Sequence, residues 1–216
     1  MTTTHRPVIF IGGGGHAAVC LDVFRSTGRA VIGYVAPESS DDLDLDHLGS
    51  DDDIHRLAVE HLSDVFVAIG ANRARAALRQ RLIAQGLTLT SAVDAHAVCA
   101  PSVRIGDCSV VMPGAVINTR STIGSGVIVN TGSSIDHDCT IADDAHVAPG
   151  THLAGSVHVG PGVFLGVGVS VIPGCSVGEW TVVGAGAAVV RDLPAHSIAV
   201  GVPARVSRTL PATVTP

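Results

Sequence analysis

The sequence predicts an α/β domain followed by a parallel β-helix. The second half carries the stronger signal, because every sixth residue from Ile105 to Val189 is aliphatic without exception. A period of six fits neither the 3.6 residues of a helical turn nor the two-residue alternation of a strand. It indicates short strands joined by corners and stacked into a solenoid. In the first half, apolar runs alternate with stretches of helical spacing, which is typical of α/β domains with a parallel sheet.

The residues between the aliphatic positions support this repeat. Small or slim side chains such as Ser109, Ala115 and Ser121 stand two residues before each aliphatic one, as expected for a narrow interior. Proline fixes φ at the first central residue of a turn and glycine tolerates a positive φ at the second, so Pro-Gly pairs mark corners. Five prolines fall two residues after a position of the register, and glycine follows the last four: Pro101, Pro113, Pro149, Pro161 and Pro173.

We predict a Rossmann-like domain over residues 1–94 and the β-helix over residues 95–216. The elements expected in the first domain are strands over Val8–Ile11, Val31–Val35 and 64–70, a helix after the glycine run 12–15, and a helix over 72–86. Asn72 is the expected cap of that last helix and Gly86 its stop. The acidic segment 41–53 is expected to be a solvated loop.

Composition restricts the function classes. The formal net charge is −6 and the chain has no basic run, which argues against nucleic acid and anionic membranes as partners. The N-terminus lacks the apolar core of a signal peptide and no stretch suits a bilayer span, so we expect a cytoplasmic protein. The five cysteines form no C-x-x-C pair and are expected to be small core residues.

The glycine run allows three interpretations. Gly12-x-Gly14-x-x-Ala17 matches a relaxed dinucleotide fingerprint, which would suit an NAD-linked oxidoreductase. The acidic residue expected after the second strand is poorly placed, since Ala36 and Pro37 stand there. A glycine loop at a helix N-terminus also offers N–H groups to a phosphate. The third interpretation is a tight turn without a ligand.

Eleven histidines are candidates for chemistry. His137 falls at a corner of the repeat, where other hexads have proline, and Asp138 follows it. His146, His152 and His158 share the outward phase just before an aliphatic position. Each of the four could be a solvated surface residue without a role.

Several motifs of the chain are similar to those of one family. They resemble the sialic acid O-acetyltransferase and UDP-4-amino-sugar N-acetyltransferase family of hexapeptide-repeat acyltransferases. The resemblance implies a left-handed β-helix with three hexads per coil, so that fifteen hexads would make five coils, about 24 Å tall at roughly 4.8 Å per strand. The stretches that carry the resemblance are Gly14-Gly15-His16, Ala68-Ile69-Gly70-x-Asn72-Arg73, Asn130, Ile135-Asp136-His137-Asp138-Cys139, His146, Leu153-Ala154-Gly155 and Gly201-Val202-Pro203-Ala204-Arg205.

The resemblance also implies site residues. His137 would be the general base, oriented by Asp138, and Asn130 would help to hold the acceptor or the base. The Gly155 N–H would face the thioester carbonyl, and the acetyl-CoA site would include His146, Val167 and Ala185. Gly14, Gly15 and His16 would bind the acceptor nucleotide. Zinc is the rival for the histidines, but the close five-residue offset of the hexapeptide-repeat carbonic anhydrases is missing, so no metal is expected.

We therefore expect an acetyl-CoA-dependent acetyltransferase that acts by direct transfer on a small sugar, with the amino group of a nucleotide-activated amino-deoxy sugar favoured. A sugar O-acetyltransferase and a non-catalytic trimeric scaffold are the alternatives. Ala36-Pro37 replaces the acidic residues of members that bind UDP-sugars, which leaves a GDP-sugar, a dTDP-sugar or a free sugar open. His137 and His146 stand nine residues apart, one and a half hexads, and so on different parts of the perimeter. They can converge only across a subunit contact, which predicts a homotrimer.

Overall fold

The computed structural model describes residues 6–41 and 43–211. The chain first forms a four-stranded parallel sheet in the order β3-β2-β1-β4. The strands of this sheet are β1 Val8–Ile11, β2 Val31–Val35, β3 His47–Gly49 and β4 Asp64–Val67. The helices are α1 Gly15–Ser26, α2 Ile54–Glu60 and α3 Asn72–Ala84, with a short 3-10 helix at Asp51–Asp53. Phe10, Phe24 and Phe66 pack together in the core, with ring centroids 5.0 to 5.4 Å apart.

Three local predictions were wrong. The acidic segment is not only a loop, because it contains β3, which pairs with β2, and the 3-10 helix. The strand predicted over 64–70 ends at Val67. Asn72 is the first residue of α3 rather than its cap, and Ala71 takes the cap position. The Asn72 side chain instead donates to the carbonyl oxygens of Gly162 and Val163, both at 3.1 Å, so a tertiary contact replaces the expected cap.

The β-helix consists of two-residue strands on three faces, and strands 18 residues apart pair in parallel. The first face holds β5 Ala92–Val93, β8 Val110–Val111, β11 Ile128–Val129, β14 His146–Val147, β17 Phe164–Leu165 and β20 Val182–Val183. The second face holds β6 Val98–Cys99, β9 Val116–Ile117, β12 Ser134–Ile135, β15 His152–Leu153, β18 Ser170–Val171 and β21 Ala188–Val189. The third face holds β7 Arg104–Ile105, β10 Thr122–Ile123, β13 Thr140–Ile141, β16 His158–Val159 and β19 Ser176–Val177. The fifteen hexads from residue 105 to 189 form the five predicted coils, β5 and β6 precede them, and a hairpin of β22 Ser197–Val200 and β23 Arg205–Thr209 extends the first face.

Three columns of corner residues connect the faces. The Val167 corner (131–132, 149–150, 167–168, 185–186) joins the first face to the second. The His137 corner (119–120, 137–138, 155–156, 173–174) joins the second to the third, and the domain corner (125–126, 143–144, 161–162, 179–180) joins the third to the first. The glycines of the predicted Pro-Gly pairs have positive φ, such as 63° at Gly162. Arg120 and Asp138 occupy the equivalent corner position with φ 60°.

The α/β domain covers the first face of the β-helix. Val110 and Ile128 point out of this face into the hydrophobic core of the α/β domain. Leu89 forms an isolated parallel bridge with Val65 of β4, in the α/β domain, whereas the following strand β5 pairs with β8 of the β-helix. The chain therefore passes from one domain to the other within a few residues. The division at residues 94 and 95 itself stays a prediction.

All five cysteines are free, and four of them are buried while Cys99 is half-buried. Within the described part of the chain, no helix is long and apolar enough to cross a membrane.

Candidate active site

His137 lies half-exposed at the turn between β12 and β13. Its Nδ1 is 2.7 Å from Asp138 Oδ2, and its main-chain N–H donates to Asp136 Oδ1 at 2.7 Å. An ionised carboxylate can only accept, so in the neutral ring the proton is on Nδ1 and the lone pair on Nε2. This tautomer leaves His137 ready to take a proton at Nε2.

The partner of Asp138 on the preceding coil is Arg120. Its Nε and Nη2 donate to the two carboxylate oxygens at 2.6 and 2.7 Å. These bonds, together with the hydrogen bond from His137, hold the pKa of Asp138 well below its usual range. Asp138 is therefore ionised throughout the neutral range. The sequence analysis missed Arg120, although its spacing of 18 residues from Asp138 is one coil of the repeat.

Gly155 lies on the following coil and contacts the His137 ring. A Cβ at this position would lie 2.5 Å from His137 Cε1 and 2.7 Å from Nε2, so only glycine lets the ring occupy this place. The next residue, Ser156, donates its N–H to the His137 carbonyl at 2.9 Å. Within residues 6–41 and 43–211 the Gly155 N–H has no acceptor, so it is available to an oxygen of a ligand.

Cys139 is the nucleophile nearest to this corner in sequence, but it points into the prism. Its thiol donates to the Ala154 carbonyl at 3.2 Å, and burial raises its pKa. A buried protonated thiol is a poor nucleophile, which agrees with the predicted direct transfer.

A second cluster lies on the first face, around His146. Asn130 Oδ1 accepts the Thr131 N–H at 2.8 Å, which orients the amide so that Nδ2 donates to His146 Nε2 at 3.1 Å. The ring of His146 stands edge-on to Phe164, with centroids 5.2 Å apart. Burial, together with the charge of Arg75, lowers the pKa of His146 to about 3. His146 is therefore neutral at physiological pH.

His16, at the start of α1, belongs to the same neighbourhood. Burial and the charge of Arg75 lower its pKa to about 4, and His16 in turn contributes to the low pKa of His146. Gly70 packs beside His16, because a Cβ on Gly70 would lie 3.8 Å from the His16 Cβ. The loop after β4 thus joins the glycine run to the β-helix.

The structure separates the four glycines of the run into two pairs. Gly12 has φ 108° and a Cβ on Gly13 would lie 2.5 Å from Tyr34 Cε2, so the fold requires both. Gly14 and Gly15 have ordinary φ values, and no atom lies within 4 Å of a Cβ built on either. The fold does not require these two, and they stand at the start of α1, where the first N–H groups have no partner within the helix.

Hydrogen bonds from Arg75 connect the loop after β4 to the β-helix. It is 1 % exposed, and its Nε donates to the Gly126 carbonyl at 2.6 Å. Its Nη1 donates to the carbonyls of Ile69 and Gly70, and its Nη2 to that of Asp144 at 2.8 Å. Nothing in the sequence distinguishes this arginine from the others of α3, so the sequence analysis missed it.

Within one chain the predicted site residues form separate groups. His137, Asp138 and Gly155 share the His137 corner. Asn130 and His146 lie on the first face, towards the Val167 corner, where Val167 and Ala185 are exposed one coil apart. His152 and His158 are exposed on the second and third faces. Among the described residues, no group of three or more His, Cys, Asp or Glu side chains could hold a metal ion.

Several known proteins are similar to this chain. Residues 7–82 match the PglD N-terminal domain family. Perosamine N-acetyltransferase from Caulobacter crescentus, solved with CoA and GDP-perosamine, is 42% identical with a TM-score of 0.91, over 94% of this chain and 97% of that one. The acetyltransferase domain of PglB from Neisseria gonorrhoeae, solved with acetyl coenzyme A, is 31% identical with a TM-score of 0.89, over 94% and 99% of the two chains. No curated protein matches.

A more distant structure, WeeI from Acinetobacter baumannii, shares the fold at 22% identity and a TM-score of 0.83, over 93% of this chain and 99% of that one. The fold and these matches define a left-handed β-helix acyltransferase with an α/β domain in front of it. More narrowly, the chain belongs to the hexapeptide-repeat sugar acetyltransferases. It is an acetyl-CoA-dependent acetyltransferase, as the sequence predicts, and neither a scaffold nor an NAD-linked oxidoreductase.

Proposed function

We propose that this enzyme acetylates the amino group of a GDP-linked amino-deoxy sugar, with His137 as the general base. The observation that carries the proposal is the half-exposed His137 ring, which lies against Gly155 and has its Nδ1 on the Asp138 carboxylate. The nucleotide is supported by the 42% identity to an enzyme solved with GDP-perosamine. It is also supported by Ala36-Pro37, where members that bind UDP-sugars carry acidic residues.

In the proposed reaction, His137 Nε2 takes a proton from the acceptor nitrogen as the new N–C bond forms. The C–S bond of the thioester breaks, and the proton passes from His137 to the departing sulfur. Asp138 stabilises the imidazolium, and the Gly155 N–H donates to the thioester oxygen as it gains negative charge. General base catalysis contributes roughly 10² to 10⁴-fold to such a step.

The acceptor is proposed to bind across the glycine run. The N–H groups at the start of α1 suit the diphosphate of a nucleotide sugar, because a helix N-terminus attracts anions. Side chains at Gly14 and Gly15 would occupy that space. His16 beside them is neutral and can contribute a hydrogen bond without a charge.

The two histidine clusters are proposed to meet between subunits of a homotrimer. The Val167 corner and the His137 corner flank the second face. If three second faces surround a threefold axis, the His137 corner of one chain meets the Val167 corner of its neighbour. The side chains that point out of the second face are short and uncharged apart from one histidine, which suits such an axis: Val98, Val116, Ser134, His152, Ser170 and Ala188.

The same contact would form a groove for acetyl-CoA. Val167 and Ala185 line one side of it. On the other side the chain has Ala154, Ile172 and Val190, each at the end of a strand of the second face. Ile172 and Val190 are exposed in the single chain, as is Val167. An apolar groove that leads away from His137 fits the extended pantetheine arm of acetyl-CoA.

An acceptor panel tests the proposal. Acetyl-CoA is combined with the GDP-, UDP- and dTDP-linked forms of one 4-amino-4,6-dideoxy sugar, and release of the CoA thiol is measured, with the corresponding 4-hydroxy sugar as control. We expect the GDP-amino sugar to give a kcat/KM at least about tenfold above the other two, since one good recognition contact contributes about that much. Equal rates with all three nucleotides would refute the GDP assignment. Reaction of the hydroxy sugar in place of the amino sugar would make the enzyme an O-acetyltransferase.

A further inference from the structure

Arg120 contacts Asp138, the partner of the proposed general base His137, and has no part in the reaction described above. It stands one coil before Asp138, in the same left-handed corner conformation. Its main-chain N–H donates to Ser102 Oγ at 2.9 Å, and Ser102 Oγ lies 2.9 Å from Thr119 Oγ1. These hydrogen bonds fix the corner of the preceding coil, from which the Arg120 side chain extends to Asp138.

The contact between Arg120 and Asp138 is bidentate. Arg120 Nε bonds Oδ1 and Nη2 bonds Oδ2, so the plane of the carboxylate cannot rotate. Asp138 Oδ2 receives both Arg120 Nη2 and His137 Nδ1, each at 2.7 Å. Without Arg120 the carboxylate could turn about its χ angles and lose the imidazole.

We propose that Arg120 is a positioning residue that fixes the Asp138 carboxylate against His137 Nδ1 and thereby holds the imidazole in the orientation in which Nε2 can take a proton. The inference rests on the proposed role of His137. Asp138 keeps the ring oriented, and Arg120 keeps Asp138 in place.

The other groups around His137 do not hold its ring. Asp136 accepts the His137 main-chain N–H and the Asn118 amide, so it fixes the main chain of His137 and not the imidazole. The next coil presents Gly155 and Ser156, which are uncharged, and Cys139 points inward as a protonated thiol. Asp138 itself donates its N–H to the Thr119 carbonyl at 3.1 Å.

Three Arg120 variants test the positioning role. Arg120→Lys keeps the charge but loses the fork, so kcat should fall about threefold while the KM values of both substrates stay in place. Arg120→Gln loses the charged fork, so kcat should fall about tenfold, again at unchanged KM values. Arg120→Ala should lower kcat further. Arg104→Gln, which changes an exposed arginine of β7, is the matched control and should change neither kcat nor KM.

Thermal unfolding accompanies each variant, because a purely structural arginine would lower the unfolding temperature without lowering kcat. A kcat equal to that of the wild type in Arg120→Gln would overturn the inference, provided that His137→Ala is inactive. If His137→Ala keeps its activity, the proposed base itself is wrong. The two failures are therefore distinguishable.

Discussion

His137 and His146 occupy the same repeat, nine residues apart, in opposite surroundings. His137 stands at an open corner among charged groups, with a carboxylate on Nδ1 and an arginine behind it. His146 lies under the α/β domain, where an amide contacts its Nε2 and its pKa is lowered to about 3. His137 stands at a corner and His146 in a strand, and only the strand is covered by the α/β domain, so the two side chains have different surroundings.

This difference assigns different chemistry to the two rings. A proton acceptor needs solvent or substrate at Nε2 and a partner that stabilises its charged form, and the His137 corner offers both. A ring that stays neutral across the physiological range cannot stabilise a charge by titrating, but it can position a polar ligand. We therefore expect substitutions at the corner to act on turnover and substitutions near the α/β domain to act on binding or stability.

The largest effect is expected at His137. His137→Ala should lower kcat roughly 10² to 10⁴-fold while acetyl-CoA binding, measured by calorimetry, stays nearly intact. Asp138→Asn should cost less, because the base is then perturbed and not removed. Near-normal turnover of His137→Ala would contradict the assignment of the base.

Gly155→Ala should come next, with a loss of about 10²-fold in kcat. Its Cβ would collide with the imidazole and displace the half-exposed ring, and a displacement of about 1 Å is enough for such a loss. The unfolding temperature should hardly change, because the ring can swing into solvent. A large drop in stability with normal turnover would show that Gly155 serves only the fold.

The glycine run tests the other side of the comparison. Gly14→Val adds a side chain to open space, so the acceptor KM should rise much more than the acetyl-CoA KM, at unchanged stability. Gly13→Ala is the matched control, because its Cβ would strike buried Tyr34, and it should lower the free energy of unfolding by about 1 to 3 kcal/mol. An equal rise of both KM values in Gly14→Val would mean that the loop is only structural.

The smallest effect is a pH dependence of stability. In the folded state the pKa values of His16 and His146 are lowered to about 4 and about 3, whereas an unfolded histidine titrates near 6.5. The unfolded chain therefore binds more protons below about pH 6.5, and stability should fall from there towards pH 4. The slope is at most about 1.4 kcal/mol per pH unit for each histidine. His146→Gln should flatten the decline measured by urea unfolding, whereas an unchanged slope would contradict the buried neutral state.

The sequence predicted the β-helix well because its signal is local. Each hexad repeats the same inward aliphatic residue and the same corner, so strand positions, coil length and the corner position of His137 and Asp138 follow from the period. The contact between Arg120 and Asp138 also follows from the period, since the two residues are 18 residues apart, which is one coil. It was not predicted, because the family resemblance indicates only residues to which the family assigns a role.

The contacts between the two domains could not be predicted from the local sequence. Asn72 looks like a helix cap and Arg75 like a surface arginine, because nothing in their local sequence shows the β-helix that accepts their hydrogen bonds. The burial of His146 has the same cause. Its hexad is like its neighbours, and only the packing of the α/β domain distinguishes it from His152 and His158.

The central claim is that His137 of one subunit and His146 of its neighbour complete one site. Two inactive variants, His137→Ala and His146→Ala, are therefore coexpressed with different affinity tags, and the mixed trimers are isolated and assayed. In a mixed trimer of either ratio, one of the three interfaces has both histidines intact, so about a third of wild-type activity should return. Mixed trimers as inactive as their parents, or a fully active monomer in sedimentation at assay concentration, would contradict the shared site.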